Sequence, residues 1–218
     1  MTSNIVETTR PTHVEVADHF YHDAIDLHAR YIVCEASENP EFYSRKSRRF
    51  KCFVDLRMAM ESALKSVVVY CYHSDMKGQK LVKKVEKYGH DLDGLIKKAL
   101  EHLPEDLQDK TNTLCLELNK LPVGLRYRLD GMDFKRNNEE LYNVTIGSDA
   151  WMENTSSTIK SIADFIGKEL NNKESGILSG KDITLEELLA PEYNKPTYDN
   201  RPKQANKPPE KPKPKQTE

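Results

Sequence analysis

Residues 49–72 read RFKCFVDLRMAMESALKSVVVYCY. Phe53, Leu56, Met60, Leu64, Val67 and Cys71 recur at spacings of three and four, and no glycine or proline interrupts them. That period is the signature of an amphipathic α-helix, so the stretch predicts a core helix and, with it, a helical fold class. Upstream, from Val14 to Cys34, the residues Ala17, Phe20, Ala24, Leu27 and Tyr31 keep the same spacing, flanked by Tyr21, Ile25 and Ile32, and predict a second core helix.

Downstream, His73 to Gly78 is a polar break. A short helix follows through Leu81, Val82 and Val85 to Tyr88, and Gly89 suits a left-handed C-cap. Asp91 or its neighbour can cap the run Leu92, Leu95, Ile96, Ala99, Leu100. After Pro104, Leu107, Thr111, Leu114, Leu118 and Leu121 share a stripe until Pro122 stops it. Ser148 caps a last long helix with Trp151, Thr155, Ile159, Ile162, Ile166 and Leu170 on one face. Thr184 and Glu187 form a capping-box pattern ahead of Leu185, Leu188 and Leu189, which predicts a short terminal helix.

One stretch departs from this period. Val123 to Leu129 and Glu140 to Ile146 alternate with period two and are rich in aromatic and β-branched residues, with polar residues between them, so a two-stranded insert is expected over about 122–147. It must lie against the helices to be stable. The expected fold class is mainly α: an antiparallel helical bundle with a small β-hairpin-like insert. The expected organisation is a flexible segment at 1–12, the helical body at 13–192, and a disordered basic tail at 193–218.

The tail expectation rests on composition. From Lys195 to Glu218 there are seven basic residues against three acids, a net of about +4, and six of the eleven prolines. Such a segment buries too little apolar surface to offset its chain entropy. The chain as a whole is at −2, so the remainder carries about −6. With 218 residues and 37% hydrophobic content the chain can fill one core. No apolar run approaches the roughly 18 residues that span a bilayer, and the first residues lack a basic flank and an apolar signal core, so a cytoplasmic protein without membrane contact is expected. Cys34, Cys52, Cys71 and Cys115 show no CxxC pairing and read as reduced packing residues.

The long helix bearing Phe53-Val-Asp-Leu-Arg-Met-Ala-Met-Glu-Ser-Ala-Leu-Lys65, a charged connection, Gly89-His-Asp-Leu-Asp-Gly-Leu95 and then a further helix pair resembles the HEPN superfamily of prokaryotic helical bundles, over roughly residues 14–171. The resemblance implies a homodimer paired through the bundle and a place in toxin–antitoxin or antiphage systems. Catalytic members are metal-independent RNases with an arginine followed four to six residues later by a histidine. None of His13, His19, His22, His28, His73, His90 or His102 has an arginine at that spacing upstream, and no histidine follows Arg126, Arg128 and Arg136. Without that base an arginine supplies only the phosphate-binding half of the chemistry, so no catalytic residues are assigned.

Several clusters are candidates for binding. Arg45, Lys46, Arg48 and Arg49 open a helix whose N-terminal dipole repels cations; they read as a solvated charge run, the alternative being an anion-binding patch extended by Arg57, Arg126, Arg128, Lys135 and Arg136. Tyr127 and Phe134 would offer stacking faces for bases. His28, in the middle of an apolar stripe, reads as a satisfied core or dimer-interface histidine, the alternative being a functional acid or base; with Arg57 and Glu61, which can pair four residues apart at the edge of another stripe, it makes up a candidate buried polar site. His19, His22, Asp23 and Asp26 share an arc of roughly 100 degrees. They read as a solvated face with His19–Asp23 and His22–Asp26 pairs, the alternative being a metal site. No metal and no cofactor is expected.

Three functional readings follow. The first is a non-catalytic HEPN-like protein that binds RNA or another anionic ligand, or a partner protein, in a prokaryotic defence or stress module. The second is a metal-independent RNase with a remodelled site using His28 or His90 with Arg57 of the other subunit. The third is an adaptor that recognises only protein.

Overall fold

The structure is a computed structural model that describes residues 11–36 and 45–174, apart from the side chains of Arg45, Lys46, Arg126, Arg128, Leu129, Lys173 and Glu174. The described chain is mainly helical: α1 (His13–Ala36), α2 (Arg45–Val67), α3 (Gly78–Glu86), α4 (Leu92–Ala99), α5 (Glu105–Asn119), α6 (Arg128–Asn137), α7 (Glu139–Val144) and α8 (Asp149–Glu174). Short 3-10 turns lie at Leu100–His102 and Val123–Arg126. The segment expected as the end of the second helix, Val68–Tyr72, is a π turn, closed by His73 N donating to Val68 O at 3.1 Å.

Local chemistry explains the boundaries. Thr12 and Glu15 form a reciprocal box at the start of α1: Thr12 N donates to Glu15 Oε2 at 2.7 Å, and Glu15 N to Thr12 Oγ1 at 3.2 Å. Asp91 caps α4 by accepting from Gly94 N, and Ser148 Oγ accepts from Trp151 N at the start of α8. Gly89, with φ of +51°, makes the left-handed turn between α3 and α4 that its sequence position suggests. Of the expected flexible segment 1–12, only Pro11 and Thr12 are described, and Pro11 O accepts from Gly78 N at 2.9 Å. The terminal helix expected at Thr184–Leu189 and the tail at 193–218 lie outside the described residues.

α2 sits at the centre, with α1, α8, α4, α6 and the Val123–Arg126 turn packed on it. Phe53, Leu56, Ala59, Met60, Ala63, Leu64 and Val67 are fully buried. Cross-helix pairs fix the directions. Arg49 with Glu35, Cys52 with Cys34, Asp55 with Arg30 and Ser66 with Ala17 ascend one helix while descending the other, so α1 runs opposite to α2. Arg49 also meets Asp149, and Tyr70 Oη donates to Glu169 O at 2.8 Å, so α8 runs with α2. Trp151 with Glu117 and Lys110 with Ser157 place α5 opposite to α8. Gly167 lets α1 approach α8 closely: a Cβ there would lie 3.0 Å from the Tyr21 hydroxyl.

No strand is present among the described residues, and the expected hairpin over 122–147 is instead the Val123–Arg126 turn followed by α6 and α7. Local bonds satisfy this backbone: Gly131 N donates to Tyr127 O, Asn138 N to Phe134 O, and Tyr142 N to Asn138 O. Burial follows helical spacing, with Gly131 and Phe134 buried, then Tyr142, Thr145 and Ile146. Tyr127 and Val144, whose apolar character contributed to the period-two pattern, are exposed. The alternation therefore misled because the polar residues between the two runs form a helix of their own. Gly131 also seats α6 on α2, since a Cβ there would stand 2.8 Å from the Phe50 ring.

Met58 and Met60 give a same-residue test of this packing: Met60 is 0% exposed and Met58 44%. Met60→Ala should lower unfolding free energy by about 2–5 kcal/mol, and Met58→Ala by less than about 0.5 kcal/mol. Denaturant titration of the two variants reads the difference, and equal costs would contradict the orientation of α2.

Candidate functional site

α2 also carries charge into the interior, and each group there finds a partner from another element or from one turn away. Arg49 is turned inward, where Nη1 reaches Glu35 Oε1 at 3.0 Å and Asp149 Oδ1 at 2.9 Å, and Nε donates to Ile146 O at 2.9 Å. It clamps the end of α1, the start of α2 and the start of α8. Asp55 pairs with Arg30 at 3.0 Å; burial pushes its carboxyl up from the ordinary value while Arg30 pulls it down.

A turn further, Arg57 Nη1 donates to Leu118 O at 2.6 Å, at the electronegative end of α5. Burial weighs against the guanidinium charge and Glu61 favours it. The expected Arg57–Glu61 ion pair is not formed among the described residues. Glu61 instead gives Oε1 to Lys65 Nζ at 2.6 Å and Oε2 to His90 Nδ1 at 2.8 Å. The Glu61 and Lys65 side chains are only 10% and 13% exposed, so a largely desolvated carboxylate is balanced by an ammonium from its own helix. Beside them, Asn119 Nδ2 donates to Asp93 Oδ1 at 2.6 Å, and burial pushes the Cys115 thiol up to about 12.

His90 is 65% exposed yet held from inside. A carboxylate only accepts, so Nδ1 is the donor, and the neutral ring then carries its acceptor at Nε2. Gly89 and the Asp91 cap fix the backbone on either side of it. Such an arrangement can accept a proton from a ligand at the surface. The sequence suggested His90 beside Arg57 of a second subunit; the structure places it against Glu61, one turn from Arg57, in the same chain.

The arginines of the expected anion patch are placed as follows. Arg49 and Arg57 are internal, Arg48 is half-buried, and Arg136 is exposed on α6. The side chains of Arg45, Arg126 and Arg128 lie outside the described residues. Lys135 lies over the Tyr142 ring at 4.5 Å, Phe134 is buried, and Tyr127 remains exposed.

A different basic surface is present. Lys77, Lys80, Lys83, Lys84 and Lys87 are exposed along and beside α3, and Lys97 is exposed on α4. Between Lys77 and Lys98 there are seven lysines against three acids. Lys98 Nζ lies 5.0 Å over the ring of Tyr72, itself 46% exposed. Behind Tyr72, His73 Nε2 and Tyr88 Oη are 2.8 Å apart. Burial pulls the His73 imidazole below its ordinary value, with Lys84 and Lys98 adding to the effect from α3 and α4. The signal was in the sequence, as lysines spaced three and four apart, but it sits on what reads as an ordinary solvated helix face.

Of the remaining candidates, His28 is half-buried with Nε2 2.8 Å from Ser156 Oγ of α8, which makes it a satisfied helix-to-helix contact rather than a member of the Arg57–Glu61 group. His19, His22, Asp23 and Asp26 are all exposed. His22 pairs backward with Asp18, at 3.3 Å to Oδ1, and among the described residues no three histidine, cysteine, aspartate or glutamate side chains gather into a group able to hold a metal ion. No described helix is long and apolar enough to cross a membrane. Comparison of the chain with protein-family models, curated proteins and solved structures gave no match.

His28 and His73 both have imidazoles held below the ordinary value, chiefly by burial. The unfolded chain therefore takes up their protons first as pH falls through about 6.5, and stability present above that pH is lost below it. Urea midpoints should fall between pH 7.5 and pH 5.5 by an amount that shrinks in His73→Gln; a midpoint that rises on acidification would contradict the two buried environments.

Proposed function

We propose that the chain is a HEPN-like antiparallel helical bundle, paired as a homodimer, that binds RNA or a similar anionic polymer without turning it over, as part of a prokaryotic defence or stress module. The observation that carries the binding reading is the lysine surface of α3 and α4 around the exposed Tyr72. Lysines at the rim of a face supply salt-dependent phosphate contacts, and an exposed ring supplies a stacking platform that tolerates any base. Outside this stretch and the residues from Lys195 onward the chain is net acidic, which favours this side for a polyanion.

A second reading, a metal-independent RNase with a remodelled site, is favoured by His90 and its Glu61–Lys65 support. The imidazole would take a proton from a ribose hydroxyl while neighbouring lysines hold the phosphate. A protein-only adaptor has no comparable observation in its favour.

Fluorescence anisotropy with single-stranded RNA, run over a salt series, tests the binding reading. Lys83→Glu with Lys84→Glu and Lys87→Glu should weaken binding at least tenfold and flatten the salt slope by about 2, since each phosphate contact on a single strand contributes about 0.7. Tyr72→Ala should weaken it by about 1–3 kcal/mol, and Arg136→Ala should leave it near wild type. Binding unaffected by the lysine replacements would sink the assignment. Metal-free cleavage lost in His90→Ala with binding retained would replace it by the RNase reading.

A further inference from the structure

Cys34 and Cys52 come from facing turns of α1 and α2, and their Sγ atoms are 3.0 Å apart. Both are thiols. The contact is not isolated: Arg49–Glu35 lies on one side of it and Asp55–Arg30 on the other, each at 3.0 Å, so the two helices are pinned above and below the sulfurs. A disulfide needs about 2.0 Å between sulfurs, a gap of about 1 Å from the contact seen, which is within the reach of side-chain rotation.

The pair is also asymmetric. Cys34 is partly exposed, and Cys52 is fully buried, its thiol pushed up first by burial and then by the contact with Cys34. Cys34 is therefore the one a small oxidant meets first, with Cys52 held against it from the interior. Reactive thiol systems divide the work in this way between an attacking and a resolving cysteine.

We propose that Cys34 and Cys52 are a peroxide-oxidisable pair that forms an intrachain disulfide locking α1 to α2. The Cys34 thiolate attacks one oxygen of hydrogen peroxide, the O–O bond breaks, and Cys34 becomes a sulfenic acid while one water leaves after proton uptake. The Cys52 sulfur then attacks Cys34 Sγ, its proton passing to the departing hydroxyl as a second water. Two thiols are oxidised, one peroxide is reduced, and a dithiol reductant such as dithiothreitol reverses the step by exchange. Because the crosslink spans the connection between α1 and α2, it restricts the unfolded chain and raises thermal stability.

The test uses the full chain treated with hydrogen peroxide, with remaining thiols blocked, followed by peptide mapping. The expected result is a linked peptide joining Cys34 and Cys52, formed at least tenfold faster in native buffer than in urea, reversed by dithiothreitol. Tm should rise by roughly 6–12 °C. Cys34→Ser should lose both the link and the shift. Cys52→Ser could fail to fold because its site is fully buried, so the wild-type map and the rate ratio carry the decision. Unlinked sulfinic acid at Cys34, a disulfide between two chains, or a link formed equally fast in urea would each overturn the proposal.

Discussion

A helix surrounded by its own protein cannot leave a charge unanswered. α2 is in that position, and yet it brings Arg49, Asp55, Arg57, Glu61 and Lys65 into or beside the interior. Removing such groups from water costs several kcal/mol each unless good partners receive them. The partners come from α1, α5, α8, the Gly89–Asp91 turn and α2 itself, so satisfying the charges of one helix fixes where the others can sit. Apolar burial supplies the driving force, and these pairs select the register within it.

That division bears on the opposite placement of Arg49 and Arg57, inside, and the lysines of α3, outside, with Lys65 drawn inward by Glu61. Arg49 uses its planar fork to contact two carboxylates and a carbonyl at once, and Arg57 reaches a carbonyl at a helix end. Guanidinium is weakly hydrated and suits such interior positions, whereas the ammonium of lysine keeps its water. The lysines of α3 accordingly remain outside. Counting basic residues along the chain without separating the two types does not distinguish the internal Arg49 and Arg57 from the exposed lysines of α3.

The stripes of residues 49–72, 14–34 and 148–170 were legible because each pairs a 3.6 period with clear end signals, and Asp91, Ser148 and Gly89 do what their types suggest. Residues 122–147 were not legible, because β-branched and aromatic side chains at alternate positions carry the same letters whether a short helix or a strand holds them. His28 could be placed on a buried face but not given Ser156 as its partner, which lies 128 positions away. Likewise Glu61 has Arg57 and Lys65 equally spaced on either side, and only the fold adds His90 to the choice.

The π turn at Val68–Tyr72 sets which side chains face outward where α2 ends. It holds one residue more than an α turn, so it shifts the angular phase of everything after it by about 100 degrees. Within the turn Tyr70 is buried and bonded to α8, while two positions on, Tyr72 is open beneath Lys98. The extra residue behaves as a spacer in a mechanical linkage: the buried stripe of α2 runs on through Val68, Val69 and Tyr70, and the exposed Tyr72 ends it. Shortening the segment by one residue would rotate Tyr72 and all that follows against the stripe of Phe53 to Val67, so the aim of that ring and the seating of α3 and α4 are set together.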